Sequence, residues 1–372
     1  MSSTFGRAPR SGRRDFLAKV LVLAFPWPFD PAPGLPASRK PIADGHVHLF
    51  GAGDAGSGCR LSAWMRGGFA FRFLSLAYGL GRRGATVDEA YLDLLLEHAR
   101  ASGLDRILLL AQDGVYDGRG NLDEARTHVL VPNEYLFRVT GAHPDLFVPC
   151  PSINPDRRDA LEELERCASR GAKALKIHPP IQGVDLSDRR HEPFFLRCAE
   201  LGMKVLVHTG HEHSAPVVDI RLADPRKVER ALAAGCTVVA CHSGTGRRGE
   251  RPDFLEPFLS LARKYPRLWG DTSILGTPGR GRDVRRLLAA KDILPRLLHG
   301  SDFPFPAVPL AFAARIGAGR ALALQFESNA LKRDLALKVA LGFSRSSAEE
   351  AHRTLAAGAA GTDGGCRARR PV

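Results

Sequence analysis

The sequence predicts an α/β fold, a (β/α)₈ barrel with an insertion after its first strand and extra C-terminal helices. Eight short apolar segments alternate with amphipathic helical segments between residues 42 and 301. Several of them, such as Val205–Val207 and Thr237–Ala240, are apolar at every position, which is typical of buried parallel strands. Their number and order fit a barrel of about 250 residues. A doubly wound parallel sheet is the alternative.

Residues 1–40 are predicted to be a leader that precedes the fold. Arg13 and Arg14 are followed by a short apolar run, Val20–Phe25, and then by a proline-rich stretch. This order resembles a twin-arginine export signal, and a disordered basic leader fits nearly as well. The chain is therefore expected either in the cytoplasm or exported in folded form. The predicted domains are the leader at 1–40, the barrel at 41–342, and a C-terminal helix with a disordered tail at 343–372.

The first predicted strand carries two histidines on one face. Side chains alternate along Ile42–Leu49, so Asp44, His46 and His48 share one side while Val47 takes the other. Neutral imidazole is a preferred ligand of zinc and related metals. The pair therefore favours a divalent metal at the end of this strand, with two ordinary polar strand-end residues as the alternative.

The remaining elements follow from hydrophobic periodicity. The eight predicted strands are Ile42–Leu49, Arg106–Ala111, Leu146–Ile153, Ala174–His178, Lys204–His208, Thr237–His242, Leu268–Thr272 and Arg296–Ser301. The helices predicted between them include Val87–Ser102, Arg157–Arg170, Pro193–Leu201, Pro225–Ala234, Phe254–Lys264 and Arg282–Ala289. Residues 51–84 are expected to form a lid or small subdomain over the barrel mouth. Two more helices within 325–357 are expected to pack on the barrel exterior.

Composition argues against several kinds of partner. The net charge is +13, but the arginines are spread along the chain and only 7% of the residues are aromatic, so no nucleic-acid interface is predicted. No apolar run is long enough to cross a membrane. The seven cysteines form no C-x-x-C pair, which argues against a disulfide framework or zinc knuckle. We expect a small-molecule substrate, anionic if the basic charge guides it, and a homo-oligomer is compatible with the sequence.

Polar residues stand at or just after the ends of the later predicted strands. The C-terminal ends of barrel strands meet at one face of the molecule, so these residues are expected to lie close together. They are Lys176 and His178 after strand four, His208 after strand five with His211 and His213 behind it, His242 after strand six, Asp271 after strand seven, and Asp302 after strand eight.

The loop Gly244–Gly249 requires a separate interpretation, because it fits the dinucleotide-binding pattern G-x-G-x-x-G and follows a predicted strand. Pro252 delays the next helix, whereas the third glycine of that pattern should lie inside a helix. A dinucleotide site would also leave the histidines and Asp302 unexplained. The loop is therefore interpreted as part of the barrel mouth.

Five motifs together resemble the amidohydrolase superfamily, specifically the metal-dependent TIM-barrel group that also contains aromatic-acid decarboxylases. The resemblance extends over residues 40–342, and the order of the motifs along successive strands makes it specific. The motifs are Asp44-Gly45-His46-Val47-His48, Lys176-Ile177-His178-Pro179, Val207-His208-Thr209-Gly210, Cys241-His242-Ser243-Gly244 and Gly300-Ser301-Asp302-Phe303-Pro304.

The resemblance implies one divalent metal, Zn²⁺ in the first place and Mn²⁺ as the alternative. It implies that His46, His48, His208 and Asp302 are the ligands. Asp302 would also transfer a proton, and His242 would polarise the substrate. Some members bridge two metals with a carboxylated lysine on strand four. Here His178 shares the strand face of Lys176, so we expect one metal and an unmodified lysine.

Further contacts with the substrate are predicted at Lys176, His178, His211, Arg247 and Asp271. Any one of the arginines after strands six and seven could pair with a substrate carboxylate or phosphate. These are Arg247, Arg248, Arg280 and Arg282. Each of these arginines, taken singly, is expected at the solvated surface.

Three functions follow from these residues. The first is a metal-dependent hydrolase that cleaves a C–N or C–O bond with an activated water. The second is a non-oxidative decarboxylase of a small aromatic or unsaturated acid, which an arginine anchoring the substrate carboxylate would favour. The third is a non-catalytic ligand-binding barrel, in which the four predicted ligands would not converge.

Overall fold

The computed structural model describes residues 39–80 and 86–357. The predicted leader, apart from its last two residues, and the predicted tail beyond residue 357 lie outside this part, so the export signal and the disordered tail stay predictions. The strands are β1 (Ala43–His48), β2 (Arg60–Leu61), β3 (Arg106–Leu110), β4 (Val129–Leu130), β5 (Phe147–Cys150), β6 (Ala174–Ile177), β7 (Lys204–His208), β8 (Val238–Cys241), β9 (Leu268–Asp271) and β10 (Leu297–Leu298). All eight predicted strands are present in the predicted order.

Eight parallel strands run around a barrel. One sheet has the order β1-β3-β5 and the other the order β10-β9-β8-β7-β6. A bridge between Ser152 and Lys176 joins the two sheets after β5, and a bridge between Val47 and Phe303 joins them after β10. The C-terminal ends of these strands therefore face the same end of the molecule, which we call the barrel mouth.

Helices surround the strands. The α-helices are Ala63–Gly67, Phe69–Tyr78, Val87–Ala101, Asn133–Ala142, Ala160–Ser169, Pro179–Gln182, Glu192–Glu200, Glu229–Ala233, Leu255–Lys264, Gly281–Ala289, Ala313–Ile316, Ala318–Gln325, Ala330–Leu341 and Ser346–Ala351. Short 3₁₀ turns span Arg189–His191, Ile220–Ala223, Pro225–Val228, His242–Gly244, Leu294–Arg296 and Pro309–Phe312, and His352–Ala356 is a π-helical turn. None of the described helices is both long and apolar enough to cross a bilayer.

The apolar core has an inner and an outer part. Side chains such as Leu110, Val148 and Leu206 fill the barrel interior, while two larger clusters lie between strands and helices. Continuous apolar strands such as Val238–Cys241 fit this arrangement, because both of their faces are buried.

The C-terminal helices correct one expectation. Helix Ala330–Leu341 packs outside the barrel, as predicted, through buried Leu337 and Leu341. The segment 346–356 instead joins the interior cluster through Ala351 and Leu355. A Cβ on Gly45 would lie 2.8 Å from Leu355 Cδ1, so this segment closes the barrel at the end opposite the mouth.

The described part of the insertion after β1 contains a loop, a short strand and two helices. Helices Ala63–Gly67 and Phe69–Tyr78 follow β2, which pairs antiparallel with β4 outside the barrel. The Tyr78 hydroxyl donates to the Pro304 carbonyl oxygen at 2.9 Å. This hydrogen bond attaches the insertion to the loop that follows β10, at the barrel mouth.

Candidate active site

Strand β1 carries two imidazoles to the barrel mouth. His46 is buried and His48 partly exposed, while Val47 packs on the opposite side into the layer beneath the helices, as the alternation predicts. Asp44 fixes the strand, because its Oδ1 accepts hydrogen bonds from the backbone amides of His46 at 3.0 Å and Ser301 at 2.9 Å. The loop after β10 is thereby attached to β1.

Asp302 reaches the same point from the loop after β10. Its backbone amide donates to the His46 carbonyl oxygen at 2.8 Å. Its φ of +67° is in the left-handed region, which aspartate adopts more readily than most residues. Gly300 permits this close approach, since a Cβ there would lie 2.7 Å from His46 Cβ.

Three potential ligand atoms converge between these strands. Asp302 Oδ1 lies 3.1 Å from His46 Nε2 and 3.3 Å from His48 Nε2. Oδ1 is buried, yet it has no hydrogen bond of good geometry among the described residues. Two imidazole nitrogens and a carboxylate oxygen are suitable ligands for a divalent cation. The residues present therefore fit the metal that the sequence resemblance implies.

Asp271 controls the orientation of His46. Its Oδ2 lies 2.8 Å from His46 Nδ1. Because an ionised carboxylate only accepts, His46 carries a proton on Nδ1, and in its neutral, metal-binding form this is its only ring proton. The lone pair of His46 is then on Nε2, the atom beside Asp302. A carboxylate behind a histidine is a common way to orient a metal ligand.

The same carboxylate also acts on His208 through two intermediate residues. Ser273 Oγ donates to Asp271 Oδ1, so it accepts from His242 Nδ1 at 2.8 Å. His242 Nε2 is then an acceptor, and its partner is His208 Nδ1 at 3.1 Å. This leaves the lone pair of His208 on Nε2, an atom that is buried without a partner in the described part of the chain.

The structure thus brings His46, His48 and Asp302 into one group and leaves His208 outside it. The role of His208 as a fourth ligand stays a prediction, supported by its unpartnered Nε2. In the tautomer that these hydrogen bonds assign, His242 accepts rather than donates at Nε2. Its direct action is therefore to orient His208, and its action on a substrate stays a prediction.

A second group of ionisable side chains lies beside His208. The rings of His178 and His208 stack with centroids 4.0 Å apart, and His178 Nε2 lies 2.7 Å from Glu212 Oε2. His178 Nδ1 lies 3.2 Å from Gln112 Oε1. Neither Gln112 nor Glu212 was predicted from the sequence to belong to the site. Gln112 follows a predicted strand directly and Glu212 stands four residues after His208, so both carry the same signal of a polar residue after a strand.

Lys176 is fully buried beside the converging ligands. Its Nζ lies 3.4 Å from His46 Nε2. The predicted proximity of this lysine to the site is therefore present, and it places an amino group beside His46 Nε2, one of the three potential ligand atoms. An anionic substrate group would find a positive charge at this position.

Burial sets the charge state of the site. It lowers the pKa of His48 to about 4 and the pKa of His242 to about 3, so both imidazoles are neutral at neutral pH. Burial alone would raise the pKa of Asp302. The electrostatic influence of His242 and the close imidazoles of His46 and His48 nevertheless hold the pKa of Asp302 well below its usual value. Neutral imidazoles and an ionised carboxylate are the forms that bind metals.

The other predicted substrate contacts, Arg247, His211 and Asp271, differ in how deeply they are buried. Arg247 is exposed, and the partly exposed His211 has its Nε2 2.9 Å from the Pro252 carbonyl oxygen. Asp271 is buried and accepts hydrogen bonds from His46 and from the His242 amide. The geometry therefore favours a positioning role for Asp271 over contact with a substrate.

One arginine of the mouth loops departs from the expected solvated position. Arg280 follows β9, is only 3% exposed, and donates from Nη1 to the carbonyl oxygen and hydroxyl of Thr245 at 3.0 and 3.1 Å. Its Nε has no partner in the described part of the chain. Nothing in the sequence pattern distinguishes Arg280 from its exposed neighbours.

Comparisons with known proteins identify the family and the fold of the chain. The family model described as amidohydrolase matches residues 43–340. An uncharacterized TIM-barrel protein of Bordetella bronchiseptica is 19% identical, with a TM-score of 0.52 over 80% of this chain and 96% of that chain. This likeness shows the shared barrel fold.

Two further solved structures are similar to the chain at lower scores. A putative 2-pyrone-4,6-dicarboxylic acid hydrolase of Pseudomonas putida is 22% identical, with a TM-score of 0.47 over 82% of this chain and 99% of that chain. A 2,6-dihydroxybenzoate decarboxylase of Rhizobium is 14% identical, with a TM-score of 0.47 over 85% and 99%. No curated protein sequence matches significantly. Because the family match spans most of the barrel, the chain belongs to the amidohydrolase family.

Proposed function

We propose that this enzyme is a metal-dependent hydrolase that cleaves a C–N or C–O bond of a small molecule. The convergence of His46 Nε2, His48 Nε2 and Asp302 Oδ1 carries the proposal. We assign one divalent ion to these atoms, Zn²⁺ first and Mn²⁺ as the alternative, with His208 Nε2 as a further ligand. When bound, such an ion supplies Lewis-acid activation of a water molecule at neutral pH.

The residues of the chain provide the rest of the reaction. Asp302, ionised at neutral pH, accepts a proton from the attacking water and returns it to the leaving group. Asp271 keeps His46 in the ligating tautomer through its 2.8 Å contact with Nδ1. Lys176, buried beside His46, stabilises negative charge that develops on the substrate.

A decarboxylase is the second candidate, and Arg280 is the observation that favours it. A buried arginine with an unpartnered Nε at the barrel mouth is suited to hold a substrate carboxylate. The reaction products separate the two functions. A screen of lactones, amides and aromatic acids should give hydrolysis products for the first and CO₂ for the second.

Metal content tests the proposal directly. We expect the purified wild-type protein to contain about one equivalent of divalent metal, and Asp302→Ala and His48→Ala to bind substantially less after incubation with Zn²⁺ or Mn²⁺, because each removes one of the converging ligand atoms. His143→Ala is the matched control, since it removes a histidine at the end of helix Asn133–Ala142 that contacts Phe147 and none of the proposed ligands. Elemental analysis by mass spectrometry gives the stoichiometry.

A wild-type protein that holds no divalent metal and gains none on Zn²⁺ or Mn²⁺ addition would contradict the proposed function. That outcome would favour the non-catalytic barrel. Equal metal loss in His143→Ala and His48→Ala would mean that the converging atoms are not the binding site.

A further inference from the structure

Arg280 is the only arginine among the described residues that is fully buried. It is 3% exposed, whereas Arg282, two residues later, and Arg247 in the facing loop are exposed. Burial disfavours the charged form of its guanidinium and lowers the pKa of Arg280 to about 10. The group still carries its positive charge at neutral pH, so a full charge lies out of contact with water.

No carboxylate neutralises this charge within the described part of the chain. Arg280 forms no ion pair there, and two of the carboxylates that act on its charge, Glu250 and Asp283, have other partners. Glu250 lies 2.9 Å from His213 Nε2 and accepts from the Arg247 amide. Asp283 accepts from the Gly246 amide and pairs with Arg286 at 3.0 Å. Burying a cation without a partner costs free energy, and an anionic ligand would offset that cost.

The position of Arg280 connects it to the candidate active site. Its Nη1 is fixed on Thr245, and the Thr245 hydroxyl donates to the His242 carbonyl oxygen at 2.7 Å. The negative charge of Asp302 is among the influences on its guanidinium. The Nη1 side of the guanidinium is thus held by the loop after β8, while Nε has no partner in the described part of the chain.

A basic hollow opens next to this residue. It has a volume of about 740 Å³, and its lining includes Gly279 and Gly281 on either side of Arg280 together with Arg248, Arg282 and Arg285. The side chain of Arg280 is not itself part of this lining, whereas the residues directly before and after it are. Its arginines give an approaching anion a favourable potential.

We propose that Arg280 binds an oxyanion of the substrate, a carboxylate or a phosphate monoester, and thereby orients the substrate in the barrel mouth. This inference rests on the proposed function, because it names the class of substrate that the proposed active site binds. A guanidinium offers its donors in a rigid planar fork, which matches the two oxygens of such a group. Arg280 is therefore a specificity-determining residue, and neutral analogues of the substrate bind weakly.

Binding of simple probes tests this inference without knowledge of the substrate. Benzoate and phenyl phosphate present the two kinds of oxyanion, and benzamide is the neutral counterpart. We expect at least one anion to bind the metal-loaded wild-type protein, and Arg280→Gln to weaken its binding about 10- to 100-fold, the effect of losing hydrogen bonds to a charged group. Arg100→Gln is the matched control, because Arg100 is an exposed arginine at the C-terminal end of helix Val87–Ala101 and does not line the hollow, and it should leave the Kd within about twofold. Calorimetry or ligand-observed NMR measures each Kd.

The outcomes separate this inference from the proposed function. Equal affinity of the anions for Arg280→Gln and Arg100→Gln would overturn it even if the protein binds metal stoichiometrically. Failure of both anions to bind the wild type at millimolar concentration would overturn it as well. Loss of metal binding with retained, Arg280-dependent anion binding would instead reject the proposed function alone.

Arg280→Gln could fail to fold, because the guanidinium also joins two loops through Thr245. Arg280→Lys then keeps the charge but offers no planar fork, and it should weaken anion binding while benzamide binding is unchanged. A crystal structure of the wild type with the tighter anion provides the direct check. An oxyanion seated away from the Arg280 guanidinium would reject the inference.

Discussion

At the scale of single residues, Asp271 contacts both the His46 ring and the backbone of His242, which its place at a strand end does not indicate. Its Oδ2 faces His46 and its Oδ1 accepts from the His242 amide at 2.7 Å. The sequence identified His46 and His48 through strand periodicity, and Asp302 through the family resemblance and its place after the last predicted strand. It did not identify Ser273 or Glu212, because their positions depend on loops shaped by neighbouring strands.

We expect Asp271→Asn to weaken metal binding about 10- to 100-fold, the usual effect of removing a carboxylate that orients a ligand. The amide can donate to His46 Nδ1 and so favours the tautomer with the proton on Nε2, which cannot bind the metal. Competition with a chelator of known affinity measures the change.

Asp88→Asn is a matched control for this prediction. Asp88 is a buried carboxylate that also holds backbone amides, those of Ala52 and Gly53, but it contacts no proposed ligand. Its replacement should lower the stability of the fold and leave the metal affinity of the folded protein unchanged. An unchanged affinity in Asp271→Asn would show that His46 does not depend on this carboxylate.

At the scale of elements, sequence periodicity predicted the strands far better than their surroundings. All eight predicted barrel strands are present, and helix Val87–Ala101 ends one residue before its predicted end. The pairing of β2 with β4 was not predicted, because two-residue strands have no periodicity. The floor formed by 346–356 was also not predicted, because its amphipathic pattern does not say which apolar surface it meets.

Leu355 tests the contribution of that floor to stability. It is 4% exposed and packs in the barrel interior, so we expect Leu355→Ala to reduce the free energy of unfolding by about 2–5 kcal/mol. Leu322→Ala removes a leucine that is 49% exposed and should change it by less than about 0.5 kcal/mol. Urea denaturation measures both, and equal effects would show that the floor is not part of the cooperative core.

At the scale of the whole molecule, a cluster of buried histidines makes the metal-free fold sensitive to acid. Burial lowers the pKa values of five such imidazoles in the described part of the chain, and the unfolded chain therefore binds more protons than the folded one below about pH 6.5. They are His48, His178, His208, His242 and His299. The stability that these five groups contribute is complete above that pH and is lost as the pH falls through 6.5 toward the folded-state values, whereas His46, whose pKa is raised, contributes in the opposite sense.

We therefore expect the urea midpoint of the metal-free protein to fall between about pH 7.5 and 5.5, since each such histidine contributes up to about 1.4 kcal/mol per pH unit below 6.5. His242→Asn removes one titrating group and should flatten this dependence, whereas His143→Ala should not. A midpoint that does not change over this range would mean that the buried imidazoles are already protonated in the folded protein.

The hydrogen bond from the Ser301 amide to Asp44 joins positions 257 residues apart in sequence. The first and last strands of the barrel thus meet where His46 and Asp302 meet, and this seam is also the place where the proposed ligands assemble. Contacts of such long range carry a high entropic cost of chain closure and form late in folding. A partly folded chain therefore lacks the complete ligand set, and uptake of the metal becomes a signal that the barrel has closed.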